Sequence, residues 1–276
     1  MILGYLLATL IGLSLGLLGG GGSILTVPIL VYVLKMDPKL SIALSLAIVG
    51  STSLIGSITH FRNKNINLSV AMIFAPFAMI GTFLGAKIAA YMSGSNQLIL
   101  FAVIMILASV FMFKGRKDVG AQQDKKLNYF VIGLQAIAIG IVTGIVGVGG
   151  GFLIVPTLVL LTGISMRQSV GTSLLIISLN SLSGFVGYLN QITVPWSFLG
   201  TFIIFTSLGI IVGAKLMNKV PQQTLKKVFA IFLIIMGSLI LYKNRDKITV
   251  TSIAKLEKLE SIAQDRRIVT PIKNYL

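Results

Sequence analysis

The sequence predicts an all-α fold: a polytopic transmembrane helical bundle of about eight spans, made of two tandem four-segment repeats with broken first helices. Hydrophobic residues make up 55% of the 276 residues and charged residues 11%, against roughly 25% charged in a soluble domain. Many apolar runs exceed the ~20 residues that cross a bilayer core. The same small residues also recur at one fixed spacing in the two halves.

Short polar gaps divide the apolar sequence into eight segments, four in each half. The expected segments are 5–34, 40–59, 69–91, 97–113, 129–162, 168–189, 196–217 and 224–243. The expected organisation is a first transmembrane repeat over 1–113, a basic cytoplasmic linker over 114–128, a second transmembrane repeat over 129–243 and a charged cytoplasmic tail over 244–276.

An internal duplication relates the two halves at an offset of 128 residues. Chance hydrophobic similarity would match Leu with Ile anywhere, but it would not align glycines, a proline and a lysine. The aligned residues include Gly12 and Gly16 with Gly140 and Gly144, Pro28 with Pro156, and Gly85-Ala86-Lys87 with Gly213-Ala214-Lys215. Such a repeat is typical of pseudo-symmetric transporters.

The first segment of each half is too long to be one plain span. Residues 5–34 would form a helix of about 45 Å, against a hydrocarbon core of ~30 Å. Glycine runs interrupt each segment near its middle, and a helix broken inside a bilayer must find partners for its freed backbone groups. Renewed helix starts bind anions well. The predicted substrate site is therefore Gly21, Gly22 and Ser23 together with Gly149, Gly150 and Gly151.

Four further glycine pairs have GxxxG spacing, for which close helix packing is the favoured interpretation. These pairs are Gly12 with Gly16, Gly81 with Gly85, Gly140 with Gly144, and Gly209 with Gly213.

Acidic residues are missing from the apolar segments. There is no Asp or Glu between Pro38 and Lys117, nor between Lys125 and Lys243. A cation substrate would lack a counter-charge, and coupled carriers usually place a carboxylate in the membrane. With one His, no Cys and no acid pair, the sequence predicts no enzyme, no cofactor and no metal site, and it favours an anion as the substrate.

Polar side chains of the second and third segments are further candidates for the substrate site. Ser45, Ser53, Ser173, Asn180 and Ser181 could line a cavity, although hydroxyls in membrane helices most often bond back to their own helix. Lys87 and Lys215 follow Gly-Ala in both halves. The alternative for these two lysines is snorkelling to the membrane interface.

The net charge of +16 is interpreted as membrane topology and lipid contact rather than nucleic-acid binding, because no basic and aromatic motif accompanies it. Lys and Arg counts in the loops predict both termini in the cytoplasm, on one side with 60–68, 114–128 and 190–195. Whether the halves are parallel or inverted stays open. The tail holds an amphipathic pattern that could rest on the lipid bilayer or on a second subunit, as in a homodimer.

Taken together, two glycine-rich runs resemble the TauE/SafE sulfite exporter family of permeases. These runs are LGGGGSILTVP from Leu18 to Pro28 and GVGGGFLIVP from Gly147 to Pro156, and the two Gly-Ala-Lys triplets are also similar to that family. The resemblance covers about 5–243.

The resemblance implies an inner-membrane transporter of small sulfur-containing anions, such as sulfite, sulfonates or sulfoacetate. Two alternatives stay open: a carrier of another small solute, and a non-transporting membrane scaffold whose tail recruits partners.

Overall fold

A computed structural model describes residues 2–114, 129–162, 164–217 and 219–244. In these ranges the structure is helical with no strand, which confirms the predicted all-α class. The linker at 115–128 and the tail beyond 244 lie outside the described residues.

Five helices fall in each half of the described chain. They are α1 (Ile2–Leu18), α2 (Ser23–Pro28, continued by a π-helical turn at Ile29–Val33), α3 (Pro38–Arg62), α4 (Leu68–Ala89), α5 (Gly94–Lys114), α6 (Tyr129–Val146), α7 (Gly151–Thr162), α8 (Met166–Tyr188), α9 (Trp196–Met217) and α10 (Gln222–Lys243). The two glycine runs separate α1 from α2 and α6 from α7. The predicted break in each first segment is therefore confirmed.

Four of these helices, α3, α4, α8 and α9, are long and apolar enough to cross a membrane. Further apolar segments of 10–17 described residues lie within α1, α5, α6 and α10 and over α2 with its π-helical turn. Large apolar side chains on the outer faces of α4 and α9 are exposed, among them Met72, Ile80 and Ile204. Such a surface would be costly in water, but it suits lipid.

Asp37 lies in the connector before α3. Its carboxylate caps that helix by accepting hydrogen bonds from the backbone N–H of Lys39 at 2.8 Å and of Leu40 at 3.1 Å, as an N-cap acid does. Asp37 is exposed and does not enter the bundle. The spans described here thus contain no carboxylate.

The four GxxxG pairs form two backbone seams between the halves, which confirms their predicted packing role. A Cβ at Gly12 would overlap the carbonyl of Thr206, and one at Gly213 would overlap the carbonyl of Leu13. In the equivalent seam, a Cβ at Gly144 would overlap the carbonyl of Thr82. The first helix of each half therefore packs against the third helix of the other half, α1 on α9 and α6 on α4.

The contacts also fix the directions of the helices. Along the α1–α9 seam both residue numbers rise together, from Gly12 beside Thr206 to Gly16 beside Ala214. Helix α9 runs parallel to α3 as well, because Thr206 bonds Thr52 and Ile210 meets Gly56. Helices α1 and α3 therefore point the same way, so the chain reverses at the glycine break and α2 returns it to the start of α3.

Helices α3 and α8, which are equivalent in the two halves, run antiparallel. Gly50 meets Leu182, whereas Gly56, further along α3, meets Leu174, which is earlier in α8. His60 near the end of α3 lies beside Gly171 near the start of α8. The two halves are therefore inverted relative to each other, which settles the question that the sequence left open.

The inversion corrects the predicted grouping of loops. The loops 63–67 and 189–195, expected on one side, follow antiparallel helices and lie at opposite ends of the bundle. The sequence prediction was wrong because it counted each first segment as one crossing, whereas the chain turns back at the break. Hydropathy alone merges the helix and its return into a single apolar run.

The start of α1 and the end of α10 share one end of the bundle. Gly4 lies against Leu34, and Asn244 donates a hydrogen bond to the hydroxyl of Tyr32 at 2.7 Å. Helix α5 begins beside Pro38 at this same end and runs antiparallel to α10, so it ends at the other. Lys114, the last residue of α5, therefore lies at the other end, so the prediction that the linker and the termini share the cytoplasmic side is corrected.

Candidate functional site

The first break is a tight turn at the end of α1. Gly19 has φ of 63°, a left-handed conformation that glycine adopts without strain. Gly19–Gly22 form one 3₁₀ turn that includes the predicted Gly21 and Gly22. The buried hydroxyl of Ser23 donates to the carbonyl of Gly20 at 2.6 Å, so this predicted site residue closes its own turn.

The second break, residues 147–150, is a turn with no helical residue, whereas the first forms a 3₁₀ turn. The N–H of Gly147 closes α6 on the carbonyl of Thr143 at 2.8 Å. Gly149 and Gly150 have φ of 68° and 75°. The carbonyl of Gly150 accepts from Leu153 and Ile154, both at 2.9 Å, and so starts α7.

The two breaks meet inside the protein. A Cβ at Gly20 would overlap the backbone of Gly151, and a Cβ at Gly151 would overlap the Cα of Gly20. Both glycines are buried. We refer to this contact between Gly19–Gly22 and Gly147–Gly151 as the crossing.

Each break packs on the second helix of the other half. The Cβ position of Gly19 lies 3.0 Å from a methyl group of Val170 and 3.2 Å from the hydroxyl of Ser173. The equivalent Gly147 packs on Ile42. Gly149 meets Val49 of the other half and also lies against the hydroxyl of Ser181, in the second helix of its own half. The structure therefore brings together the predicted glycines with Ser173 and Ser181.

Asn180 joins three helices near the second break. Its Nδ2 donates to the hydroxyl of Thr143 at 3.2 Å, and its Oδ1 accepts from Thr82. Thr82 and Thr143 also lie 3.2 Å apart through their hydroxyls, and Thr143 donates to the carbonyl of Gly140 at 2.9 Å. The methyl group of Thr143 occupies the position that a Cβ on Gly150 would take. The predicted Asn180 therefore supports the second break through partners that the sequence analysis did not single out.

Sequence reasoning missed Thr82 and Thr143 because each is an isolated hydroxyl among apolar residues and not part of a polar stripe. Their sequence neighbours could have pointed to them: Thr82 follows Gly81 and Thr143 precedes Gly144, so both lie beside glycines of the predicted helix contacts.

The predicted serines divide into two groups. Ser173 donates to the carbonyl of Val170 at 2.8 Å, as membrane hydroxyls commonly do. Ser45, Ser53 and Ser181 are fully buried, and their hydroxyls have no hydrogen-bond partner among the described residues. Leaving a buried donor unpaired costs about 1–3 kcal/mol, so these three are the predicted side chains with spare capacity for a ligand.

The two predicted lysines lie away from the crossing. Lys87 is exposed in the last turn of α4, with its Nζ 5.0 Å from the ring centroid of Phe83. It lines a cleft of about 460 Å³ together with Tyr91 and Gln191. Lys215 is exposed in the last turn of α9. Because α4 and α9 are antiparallel, these lysines lie at opposite ends of the bundle.

Among the described residues, no three His, Cys, Asp or Glu side chains are grouped as metal ligands. The polar groups at the crossing are hydroxyls, one amide and backbone. Such a site can donate hydrogen bonds to the oxygens of a small anion.

Lipid-facing apolar surfaces, inverted halves and a buried crossing of two broken helices define a polytopic membrane transporter. The sulfite exporter TauE/SafE family model matches residues 4–240. The chain therefore belongs to the TauE/SafE family.

Curated relatives agree with this assignment. The chain is 31% identical over 241 residues to a probable membrane transporter protein of Xylella fastidiosa strain 9a5c, covering 85% of this chain and 92% of the relative. It is 29% identical to the probable membrane transporter protein YdhB of Bacillus subtilis, covering 84% and 97%. The probable membrane transporter protein MJ0441 of Methanocaldococcus jannaschii is 25% identical, with 82% and 90% covered. No solved structure gave a significant match.

Proposed function

We propose that this transporter carries small sulfur-containing oxyanions, such as sulfite or sulfonates, and binds them at the crossing. The observation that carries the proposal is the meeting of two glycine breaks in the bundle interior, beside the unpartnered hydroxyl of Ser181. Glycine at these positions leaves backbone rather than side chains facing the ligand.

Electrostatics favours an anion over a cation at this place. Helix α7 begins at Gly151, and the first N–H groups of a helix lack partners within it. The positive end of its dipole lies at the same point. The described spans bring no carboxylate that would repel an anion or balance a cation.

The substrate class follows from the family description, sulfite exporter, and from the donors around the crossing. Sulfite and sulfonate oxygens accept hydrogen bonds from hydroxyls and from backbone N–H groups. Carboxylates share this chemistry, so a carrier of another small anion is the second candidate. The inverted halves suit alternating access, in which equivalent elements exchange roles on the two sides.

The proposed location is the inner membrane, with both termini in the cytoplasm. The start of α1 and the end of α10 share one end of the bundle. The loops and tail that belong to that end carry nine Lys and Arg residues, and those of the other end also carry nine, so the proposed orientation rests on the seven that follow Asn244 and not on a difference between the two ends. The end of α5 and the start of α6 then face the other side.

Uptake of ³⁵S-sulfite into proteoliposomes tests the proposal. The double variant Ser53→Ala, Ser181→Ala removes two unpartnered buried hydroxyls. We expect a loss of flux of about tenfold or more, since a hydrogen bond to a charged group contributes about 1.5–3 kcal/mol.

The matched control is Ser178→Ala, on the same helix as Ser181, because Ser178 donates to the carbonyl of Leu175 at 2.8 Å. Wild-type flux in the double variant would remove the proposed site. Competition by sulfonates and by acetate separates the two substrate candidates.

A further inference from the structure

His60 and Tyr188 hold equivalent positions, in the last turns of α3 and α8. Tyr188 is fully buried, and its hydroxyl donates to the carbonyls of Gly144 at 3.1 Å and Ile145 at 3.2 Å. These carbonyls belong to the last turn of α6, directly before the second break. The tyrosine therefore ties the end of α8 to that break.

His60 makes no equivalent tie. It is 1% exposed, and neither ring nitrogen has a hydrogen-bond partner within the described part of the chain. Its Cβ lies 3.1 Å from the Cβ position of Gly171 in the first turns of α8. The two ends of the α3–α8 pair are thus closed differently, by a bonded tyrosine at one end and by an unbonded imidazole at the other.

Unpartnered hydroxyls lie along both helices between these ends. They are fully buried and make no hydrogen bond to any described residue, namely Ser41, Ser45, Ser53, Ser169 and Ser181. Ser41 and Ser169 are equivalent, as are Ser53 and Ser181. From Ser41 to His60 the helix rises about 28 Å, close to the thickness of the hydrocarbon core, ~30 Å. We refer to these five serines as the hydroxyl track.

The hydroxyl track passes the crossing. Ser181 lies against Gly149, and Ser169 is one turn from Ser173, whose hydroxyl faces Gly19. Because α3 and α8 are antiparallel, Ser169 lies towards the His60 end and Ser41 towards the Tyr188 end. Five buried, unpaired hydroxyls cost about 1–3 kcal/mol each, a cost that a passing ligand or water offsets.

We propose that the hydroxyl track is the path of the substrate. All five serines and His60 are buried, so the path is occluded in this conformation, and it opens first at the His60 end, where no side-chain hydrogen bond to a described residue holds the imidazole, while the bonded Tyr188 keeps the other end closed. The inference rests on the proposed transport of small oxyanions and adds the route and the side of access. The hydroxyls and the imidazole N–H donate to the oxyanion along the way, and Tyr188 blocks the far end through its bonds to α6.

The chain has no cysteine, so single cysteines can report access in an otherwise native protein. Ser45→Cys, Ser53→Cys, Ser169→Cys and Ser181→Cys are each treated in oriented vesicles with 2-sulfonatoethyl methanethiosulfonate, an anionic, impermeant thiol reagent. We expect labelling from the side of the 63–67 loop at a rate at least tenfold above that from the 189–195 side.

The matched controls are Ser57→Cys and Ser178→Cys. Both serines are buried on the same two helices, but their hydroxyls bond back to Leu54 at 2.7 Å and Leu175 at 2.8 Å. They should stay unlabelled. Ethanesulfonate, which leaves the reagent intact where sulfite would not, should slow labelling of the track cysteines at least threefold.

The exchange His60→Tyr with Tyr188→His reverses the two ends, and it should move labelling of Ser181→Cys to the 189–195 side. Equal labelling of track and control cysteines, or labelling mainly from the 189–195 side in the native background, would overturn the inference. Sided labelling without ³⁵S-sulfite flux would instead leave the path standing and remove the proposed function.

Discussion

Gly20 of the first break and Gly151 of the second lie in direct backbone contact, although 131 positions separate them in the sequence. Neither glycine can carry a methyl group unless the backbone of the other break moves away. The two breaks therefore hold each other in place, and the packing of the whole centre depends on the absence of two side chains.

Replacing Gly151 with Ala should lower the free energy of unfolding by about 1–3 kcal/mol, the usual cost of overpacking. Its new Cβ would meet the Cα of Gly20 and the side chain of Ile177. Thermal unfolding in detergent, followed by circular dichroism, measures the loss.

The matched control for this substitution is Gly200→Ala in α9. No heavy atom lies within 4 Å of the Cβ position of Gly200, and alanine raises helix propensity by about 1 kcal/mol. This variant should melt at or above the wild-type temperature. Equal losses in Gly151→Ala and Gly200→Ala would show that the contact at the crossing is not tight.

Asn180 and Thr52 are equivalent, but they differ in the number of hydrogen bonds that their loss removes. Asn180→Val removes two, those to Thr82 and Thr143, although both threonines keep the carbonyl of Gly140, and we expect a cost of about 1–3 kcal/mol for the two together. Thr52→Val leaves Thr206 bonded to the carbonyl of Ile203 at 3.0 Å, so its cost should be about 1 kcal/mol or less. Urea or thermal unfolding of the two variants gives the comparison, and the reverse order would contradict the network described here.

Lys87 and Lys215, exposed at opposite ends, are expected to attract the anion to the two mouths rather than to bind it at the crossing. Lys87→Gln should lower flux at low ionic strength by about two- to threefold, and the difference should vanish at about 1 M salt, where charges are screened within ~3 Å. Lys87→Arg keeps the charge and should restore the rate. A salt-independent loss would place the lysine in the binding site itself.

The inverted halves place Asn63 and Asn190 on opposite sides of the membrane. Single cysteines at these two exposed loop positions should react with an impermeant maleimide from opposite faces of oriented vesicles. Reaction of both from one face would support the simple eight-span topology and contradict the reversal at the glycine breaks. Because the exposed Asn190 lies at the same end of the bundle as the start of α1 and the end of α10, the face from which its cysteine reacts also decides whether the termini are cytoplasmic.

Local sequence features predicted much of this arrangement. The breaks at Gly19–Gly22 and Gly147–Gly151 and the GxxxG seams were predictable, because a glycine has few uses inside a membrane helix other than a turn or a close approach. The sequence did not show that the short helix from Ser23 to Val33 runs back toward the start of α1, because hydropathy does not depend on the direction in which a helix crosses the membrane.

The partners of the site were harder to predict than its glycines. Ser173 and Ser181 were expected near the breaks, yet which hydroxyl bonds its own helix and which stays unpaired depends on rotamers and neighbours. Tyr188 was not noticed because its role comes from contact with Gly144, which lies 44 positions away. Lys87 and Lys215 follow Gly-Ala at equivalent positions of the two halves, which suggested a site role, but both are exposed on the surface.

The exchange of helices between the halves limits how this molecule can move. Since α1 packs on α9 and α6 on α4 through touching backbones, neither gene-duplicated half is a rigid body that can swing against the other. Any body that rocks during a transport cycle is a composite, with α1 and α9 moving as one piece. If the chain were cut between the repeats, the two halves would have to associate through these same contacts, because the first helix of each half packs on a helix of the other.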